Sequence, residues 1–180
     1  MSQSLAGRIA IITGAASGLG LAFAEALAAE GASIAVADLN EEKGKAAVQK
    51  IAALGQRAIF CRADISQRAD ARELIDATIR EFGRIDFLIN NAGLQHICAI
   101  HEFPEDKWDL LIQVMLTGTF LTTRYAMPHM IAQKRGRIIN MSSIHGQVAS
   151  EFKSAYVAAN HGSQSGRTNC AGEVQIGGRG

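Results

Sequence analysis

The sequence predicts an α/β fold, a doubly wound parallel sheet with helices on both faces, in three layers. Short apolar runs alternate with longer segments of helical period along most of the 180 residues. The apolar runs are near-continuous rather than alternating, as strands covered on both faces must be. The first of them, Ile9-Ala10-Ile11-Ile12, passes through Thr13-Gly14-Ala15-Ala16-Ser17-Gly18-Leu19-Gly20 directly into a helical pattern, Leu21 to Ala29. Right-handed crossovers then distribute the helices over both faces of a parallel sheet.

The elements follow in order. Arg8–Thr13 reads as a strand and Gly18–Glu30 as a helix. Ser33–Asp38 is the second strand, followed by a helix from Glu41 to about Leu54. Arg57–Arg62 is the third strand, and Gln67–Phe82 is a helix with Leu74, Ile75 and Ile79 on one face. Ile85–Asn90 is the fourth strand. A long helix follows Pro104, a residue suited to a first helical turn. Arg137–Ser142 is the fifth strand, and a further helix begins near Ser154. From Ser163 to Gly180 the apolar period stops. The segment is rich in Gly, Ser and Arg and reads as a flexible tail, so the expected domain is 1–162 and the tail 163–180.

Composition narrows the class. With 48% hydrophobic and 19% charged residues the chain reads as globular. A net charge of +1 gives no reason to expect nucleic acid or an anionic membrane as partner. No apolar run approaches the roughly 18 residues of a membrane span, and the first residues lack the pattern of a signal peptide, so a cytoplasmic protein is expected. Cys61, Cys98 and Cys170 have no pairing or metal spacing and read as reduced thiols. His96, Cys98 and His101 lack a fourth ligand at a known spacing, so no metal site is expected.

The glycine segment is a phosphate-binding device. Gly14, Gly18 and Gly20 let the backbone turn sharply and approach a pyrophosphate, and the helix that follows offers free N–H groups. The context, strand then glycine turn then helix, is the one a dinucleotide fingerprint requires. Asp38 ends the second strand, where a carboxylate can accept both adenosine ribose hydroxyls and repel a 2′-phosphate, which favours NAD over NADP. Asp38 can equally be read as a helix N-cap before Leu39-Asn40-Glu41-Glu42. Asp64 ends the third strand, at the next edge of such a pocket.

Asn90-Asn91-Ala92-Gly93 follows the fourth strand, Ser142-Ser143 the fifth, and Tyr156 lies on the last helical pattern. With the glycine motif, and in this order and spacing, these residues resemble the short-chain dehydrogenase/reductase family over roughly residues 7–162. The resemblance implies a Rossmann-type fold, incomplete at the C-terminus, with NAD as cofactor. It implies cofactor contacts from Gly14, Ser17, Gly18, Leu19, Gly20, Asp38, Asp64, Ile65, Asn91, Ala92, Gly93 and Tyr156. It further implies Tyr156 as general base and Ser143 as hydrogen-bond donor to the substrate oxygen.

A narrower resemblance is to D-3-hydroxybutyrate dehydrogenases. It rests on Gly93-Leu94-Gln95-His96, Glu102-Phe103-Pro104, Ser143-Ile144-His145-Gly146, Val148-Ala149-Ser150 and Lys153-Ser154-Ala155-Tyr156-Val157-Ala158-Ala159. It implies that Gln95, His145 and Lys153 hold a substrate carboxylate beside Ser143 and Tyr156. Lysine supplies charge there, while amide and imidazole supply directed donors. Singly, each also reads as an ordinary loop or surface residue. The substrate implied is a small 3-hydroxy acid, and the full-length form is implied to be a homotetramer.

Two positions depart from the family pattern. Asn160 stands one helical turn after Tyr156, where the family has lysine, and a neutral amide cannot lower a phenol's pKa. Met115 stands where the family often has asparagine, although it also reads as a core methionine. The chain is therefore expected to be impaired in catalysis. Members of the family continue beyond this length, so residues 163–180 are expected to be non-family sequence from a frameshift or truncation. The alternatives are another NAD-dependent alcohol or keto-acyl dehydrogenase of the family, or a non-catalytic nucleotide-binding fragment.

Overall fold

A computed structural model describes residues 4–173, with side chains described through Gln164. The chain alternates β1 (Ile9–Thr13), α1 (Gly18–Ala29), β2 (Ser33–Asp38), α2 (Glu41–Ala53), β3 (Ala58–Arg62), α3 (Arg68–Phe82) and β4 (Phe87–Asn90). It then runs through α4 (Glu105–Ile112), α5 (Gly118–Ala132), β5 (Arg137–Asn140) and α6 (Ser154–Glu173). All strand pairs are parallel, in the order β3-β2-β1-β4-β5. Strand boundaries fall within two residues of those expected.

The strand order makes the site. After β3 the chain crosses back to place β4 on the other side of β1, so the winding reverses between β1 and β4. Crossovers on opposite sides leave a crevice beyond the carboxyl ends of those two strands. Asn91 and the glycine turn both emerge into that crevice.

The central strands are buried on both faces. One core packs Ile12, Ile34 and Val36 against Ala24, Ala28 and Ile51 of α1 and α2. The other packs Ile11, Ala35 and Leu88 against Leu74, Ile75, Ala126 and Met130 of α3 and α5. Beneath the sheet Asp86 is buried and accepts from the Ile9 amide at 3.0 Å and from Arg8 and Arg84 at 3.2 and 2.7 Å. This joins the starts of β1 and β4. Near the carboxyl ends, the buried Asn90 amide donates to Asn140 Oδ1 at 2.9 Å and accepts from Thr122 Oγ1 at 2.7 Å. That tie holds β4, β5 and α5 together directly below the crevice.

Three expectations need correction. The long helix after Pro104 is two α-helices joined by a π-turn, Gln113–Thr117, with Met115 at its centre. The extra residue of a π-turn is invisible to a 3.6-residue period. The fifth strand is an edge, and Ile139 is 43% exposed, so it does not share the two-sided burial of its neighbours. The last helix does not break near residue 162 but runs to Glu173. Its continuation is tied by Ser163 Oγ, which donates to Ala159 O at 2.9 Å and lies 3.2 Å from Met115 O. Gln164 Nε2 adds a donation to Ser142 Oγ at 3.1 Å. The rest of the expected tail, 174–180, lies outside the described residues. No helix among the described residues is long and apolar enough to cross a membrane.

Candidate active site

The nucleotide end is built mostly from backbone. Gly14 and Gly18 hold φ of +65° and +55°, which a side chain would strain. A Cβ at Gly20 would strike the Gly14 carbonyl oxygen and lie 2.7 Å from Asn91 Nδ2, so α1 approaches β1 as closely as it does only because Gly20 has none. Thr13 Oγ1 accepts from the amides of Asn91 and Ala92, both at 3.0 Å, and Asn91 Nδ2 donates to Thr13 O at 3.0 Å. These bonds lock the ends of β1 and β4 to each other.

A cleft of about 400 Å³ opens over this turn, lined among others by Gly14, Ser17, Asp38, Asp64, Ile65 and Asn91–Leu94. The residues present fit a dinucleotide. Ser17 is the N-cap residue of α1 but makes no side-chain cap, and the first turn carries no acid, so its N–H groups stay open to an anion. A Cβ at Gly18 would meet nothing within 4 Å, which leaves open space where a phosphate approaches.

Asp38 is not the cap of α2. Asn40 is, accepting from the Lys43 amide at 2.9 Å. The Asp38 carboxylate is held at the cleft edge by the Ala16 and Asn40 amides, both at 3.0 Å. Asp64 Oδ1 accepts from the amide and hydroxyl of Ser66 at 3.0 and 2.6 Å and faces the same cleft.

A second cleft adjoins the first across Asn91–Leu94. It brings Gln95, Met115, Tyr156 and Asn160 together with Leu19 and Ser142. Tyr156 and Asn160 share a face of α6 one turn apart, and the π-turn delivers Met115 opposite them. His145 lies in the turn Ile144–Gly146, which Ser143 opens. Its ring stands edge-on to Tyr156 with centroids 6.0 Å apart. Lys153 Nζ donates to His145 Nε2 at 3.3 Å, while the Nδ1 edge faces Val148 O at 3.4 Å. Together these contacts fit the tautomer with its proton on Nδ1.

Asn160 is 2% exposed, and both ends of its amide are used. Nδ2 donates to Tyr156 O at 2.8 Å, and Oδ1 accepts from Ser142 Oγ at 3.2 Å. Ser142 and Gln164 form this chain although neither was a candidate. The Ser142-Ser143 pair pointed near it, but nothing marked Gln164, which fell in the segment read as tail. His96 packs edge-on against Phe103, and no group of three metal-ligating side chains forms among the described residues.

The family model for short chain dehydrogenase matches residues 8–176. The chain belongs to the short chain dehydrogenase family. It is 47% identical over 160 residues to a D-beta-hydroxybutyrate dehydrogenase of Cupriavidus necator, covering 88% of this chain and 61% of that protein. It is 40% identical over 157 residues to one of Rhizobium meliloti, covering 86% and 61%. Among solved structures it resembles an NAD+-bound xylitol dehydrogenase, with a TM-score of 0.92 and 29% identity over 94% of this chain and 66% of that one. The chain thus spans about three fifths of the length of these curated relatives. The family it belongs to is one of oxidoreductases that act on small molecules with a nicotinamide cofactor.

Proposed function

We propose that this chain binds NAD and carries the recognition site for D-3-hydroxybutyrate, oxidised in the full-length form to acetoacetate. The observation that carries the reading is the Lys153–His145 pair, at 3.3 Å, with the His145 ring edge-on to Tyr156, which lines the cleft that also holds Gln95. A cation braced by an imidazole, with an amide in the neighbouring cleft, suits a small carboxylate. NAD rather than NADP is supported by Asp38, whose carboxylate would repel a 2′-phosphate.

A bound nicotinamide ring supplies the hydride acceptor. The chain's own residues do the rest. Gln95, His145 and Lys153 hold the carboxylate, Ser143 donates to the substrate oxygen, and Tyr156 takes the hydroxyl proton. Asn160 is neutral and Met115 cannot order a polar relay, so this chain turns over slowly. The tight use of Asn160 inside the protein also favours a second reading, a fragment that binds nucleotide without turnover.

The deciding experiment is calorimetry with NAD, NADP and D-3-hydroxybutyrate, alongside a turnover panel of 3-hydroxy acids and neutral alcohols. Binding of NAD and hydroxybutyrate that weakens at least tenfold in Lys153→Met supports the reading. Preference for a neutral alcohol moves the activity to another NAD-dependent alcohol or keto-acyl dehydrogenase of the family. Binding of NAD with no turnover supports the second reading.

We also read the full-length form as a cytoplasmic homotetramer, and the sequence of residues 163–180 as foreign to the 1–162 domain, although α6 continues to Glu173 and the family model extends to residue 176. Light scattering on a full-length form tests the first. Resequencing the coding DNA beyond His161 tests the second.

A further inference from the structure

Phe152 holds φ of +60°, a left-handed conformation that is an outlier for a bulky side chain. Such a residue is strained and persists only where its surroundings impose it. Burial of the ring is not what imposes it, since Phe152 is 54% exposed. What meets it is one backbone bond. The Cys98 amide donates to Phe152 O at 2.9 Å.

That bond joins the loop after β4, which carries Gln95, to the loop before α6, which carries Lys153. Cys98 follows Gln95 by three residues on the loop after β4. Phe152 directly precedes Lys153 on the loop after β5, just before α6 begins at Ser154. The left-handed residue reverses the chain so that Lys153 enters α6 with its amine on His145 at 3.3 Å.

We propose that Phe152 is a positioning residue: its left-handed backbone, strapped to the Cys98 amide, sets where Lys153 stands relative to Gln95 and so tunes the site for a small carboxylate. The ligand part of this rests on the carboxylate reading above, whereas the placement of Lys153 does not.

Two substitutions separate backbone from ring. Phe152→Asn removes the ring but keeps a residue that tolerates the left-handed region. Phe152→Val keeps an apolar side chain but disfavours that region strongly. If Phe152→Val does not fold, Phe152→Thr replaces it, a residue that is also β-branched and so disfavours the left-handed region, but whose hydroxyl suits an exposed turn.

Four quantities are read on the chain itself: acetylation of Lys153 by acetic anhydride, followed by mass spectrometry; exchange of the Cys98 amide; affinity for D-3-hydroxybutyrate with NAD present; and affinity for NAD. In Phe152→Val, Lys153 labels and the Cys98 amide exchanges faster. Hydroxybutyrate binding weakens about fivefold or more as Lys153 leaves its place, and NAD binding is unchanged. Phe152→Asn behaves as the parent in all four.

Equal Lys153 labelling in the parent and Phe152→Val overturns the proposal, as does a Phe152→Asn variant disturbed as much as Phe152→Val. If the parent binds no hydroxybutyrate yet Lys153 labelling follows the pattern, the carboxylate reading fails and the positioning role stands.

Discussion

Replacing Asn160 by lysine tests the catalytic end of the site most directly. In the chain as it stands, Asn160 gives one end of its amide to Tyr156 O and the other to Ser142 Oγ, and offers no charge to the Tyr156 hydroxyl. A phenol in water ionises near pH ~10, so roughly one in a thousand is phenolate at pH 7. An ammonium ~4 Å from a phenolate oxygen, at an effective dielectric of ~20, stabilises it by roughly 4 kcal/mol. At ~1.4 kcal/mol per unit this lowers the phenol's pKa by about three.

The substitution also removes two hydrogen bonds at a buried position, at about 1 kcal/mol each. That cost falls on stability rather than on the proton transfer. Asn160→Lys should therefore raise turnover at neutral pH by two to three powers of ten, while its melting temperature falls. The assay is NADH formation from D-3-hydroxybutyrate and NAD across a pH series, with both proteins extended to the length of their relatives.

The base works deprotonated, so a neighbouring cation helps most where the phenol would otherwise be protonated. The gain should therefore be larger at neutral than at alkaline pH. A folded Asn160→Lys variant with the parent's rate at neutral pH would refute the argument, and so would a gain that does not depend on pH.

Other parts of the structure give sharper stability and binding tests. Gly20→Ala places a methyl group against the Gly14 carbonyl oxygen, so NAD affinity should fall at least tenfold, with a stability loss of about 1–3 kcal/mol; unchanged calorimetry would contradict the close approach of α1 to β1. Asp86→Ala strands the Ile9 amide and the Arg8 guanidinium, while Arg84 and Arg135 can turn to water, so a urea midpoint shift worth about 3 kcal/mol is expected. A shift below ~1 kcal/mol would mean that the cluster is not a tie between β1 and β4. Burial pushes the Cys61 thiol up to about 11, with the Glu73 carboxylate adding to it. Cys61 should thus react slowly with maleimide at neutral pH and faster by about tenfold per unit as pH rises, a trend that flat labelling kinetics would rule out.

Much of the fold was legible because its signals are local. Parallel strands buried on both faces must be continuously apolar, and Ile9–Ile12, Ser33–Asp38 and Phe87–Asn90 say so in a few residues each. The glycine turn was readable for the same reason, since it needs three residues without side chains on one short loop. The π-turn around Met115 was not readable, because a single inserted residue in a helix leaves the surrounding apolar period almost intact. The role of Asn40 as the cap of α2 was obscured by Asp38 two residues earlier, where either side chain can serve. Ser142 and Gln164 escaped because their roles depend on a contact between the loop after β5 and α6 that no local pattern encodes.

The two ends of the site differ in what holds them, and this decides how they respond to change. The nucleotide end is made of backbone amides and glycines, fixed by Thr13 and Asn91 between adjacent strands of a buried sheet. It survives substitutions that leave the sheet and the glycine turn intact. The catalytic end joins side chains from the π-turn, the turn after β5 and one face of α6, and its placement rests on single contacts such as Cys98 to Phe152 and Lys153 to His145. A change there can remove chemistry without disturbing the fold, because no core residue moves. Asn160 is such a change: it fits between Ser142 and Tyr156 with every polar atom engaged, and the fold registers no defect. Nucleotide binding and turnover should therefore separate in this chain, with NAD affinity retained and the chemical step slowed by orders of magnitude. A chain in which both fail together would place the fault in the fold rather than at Asn160.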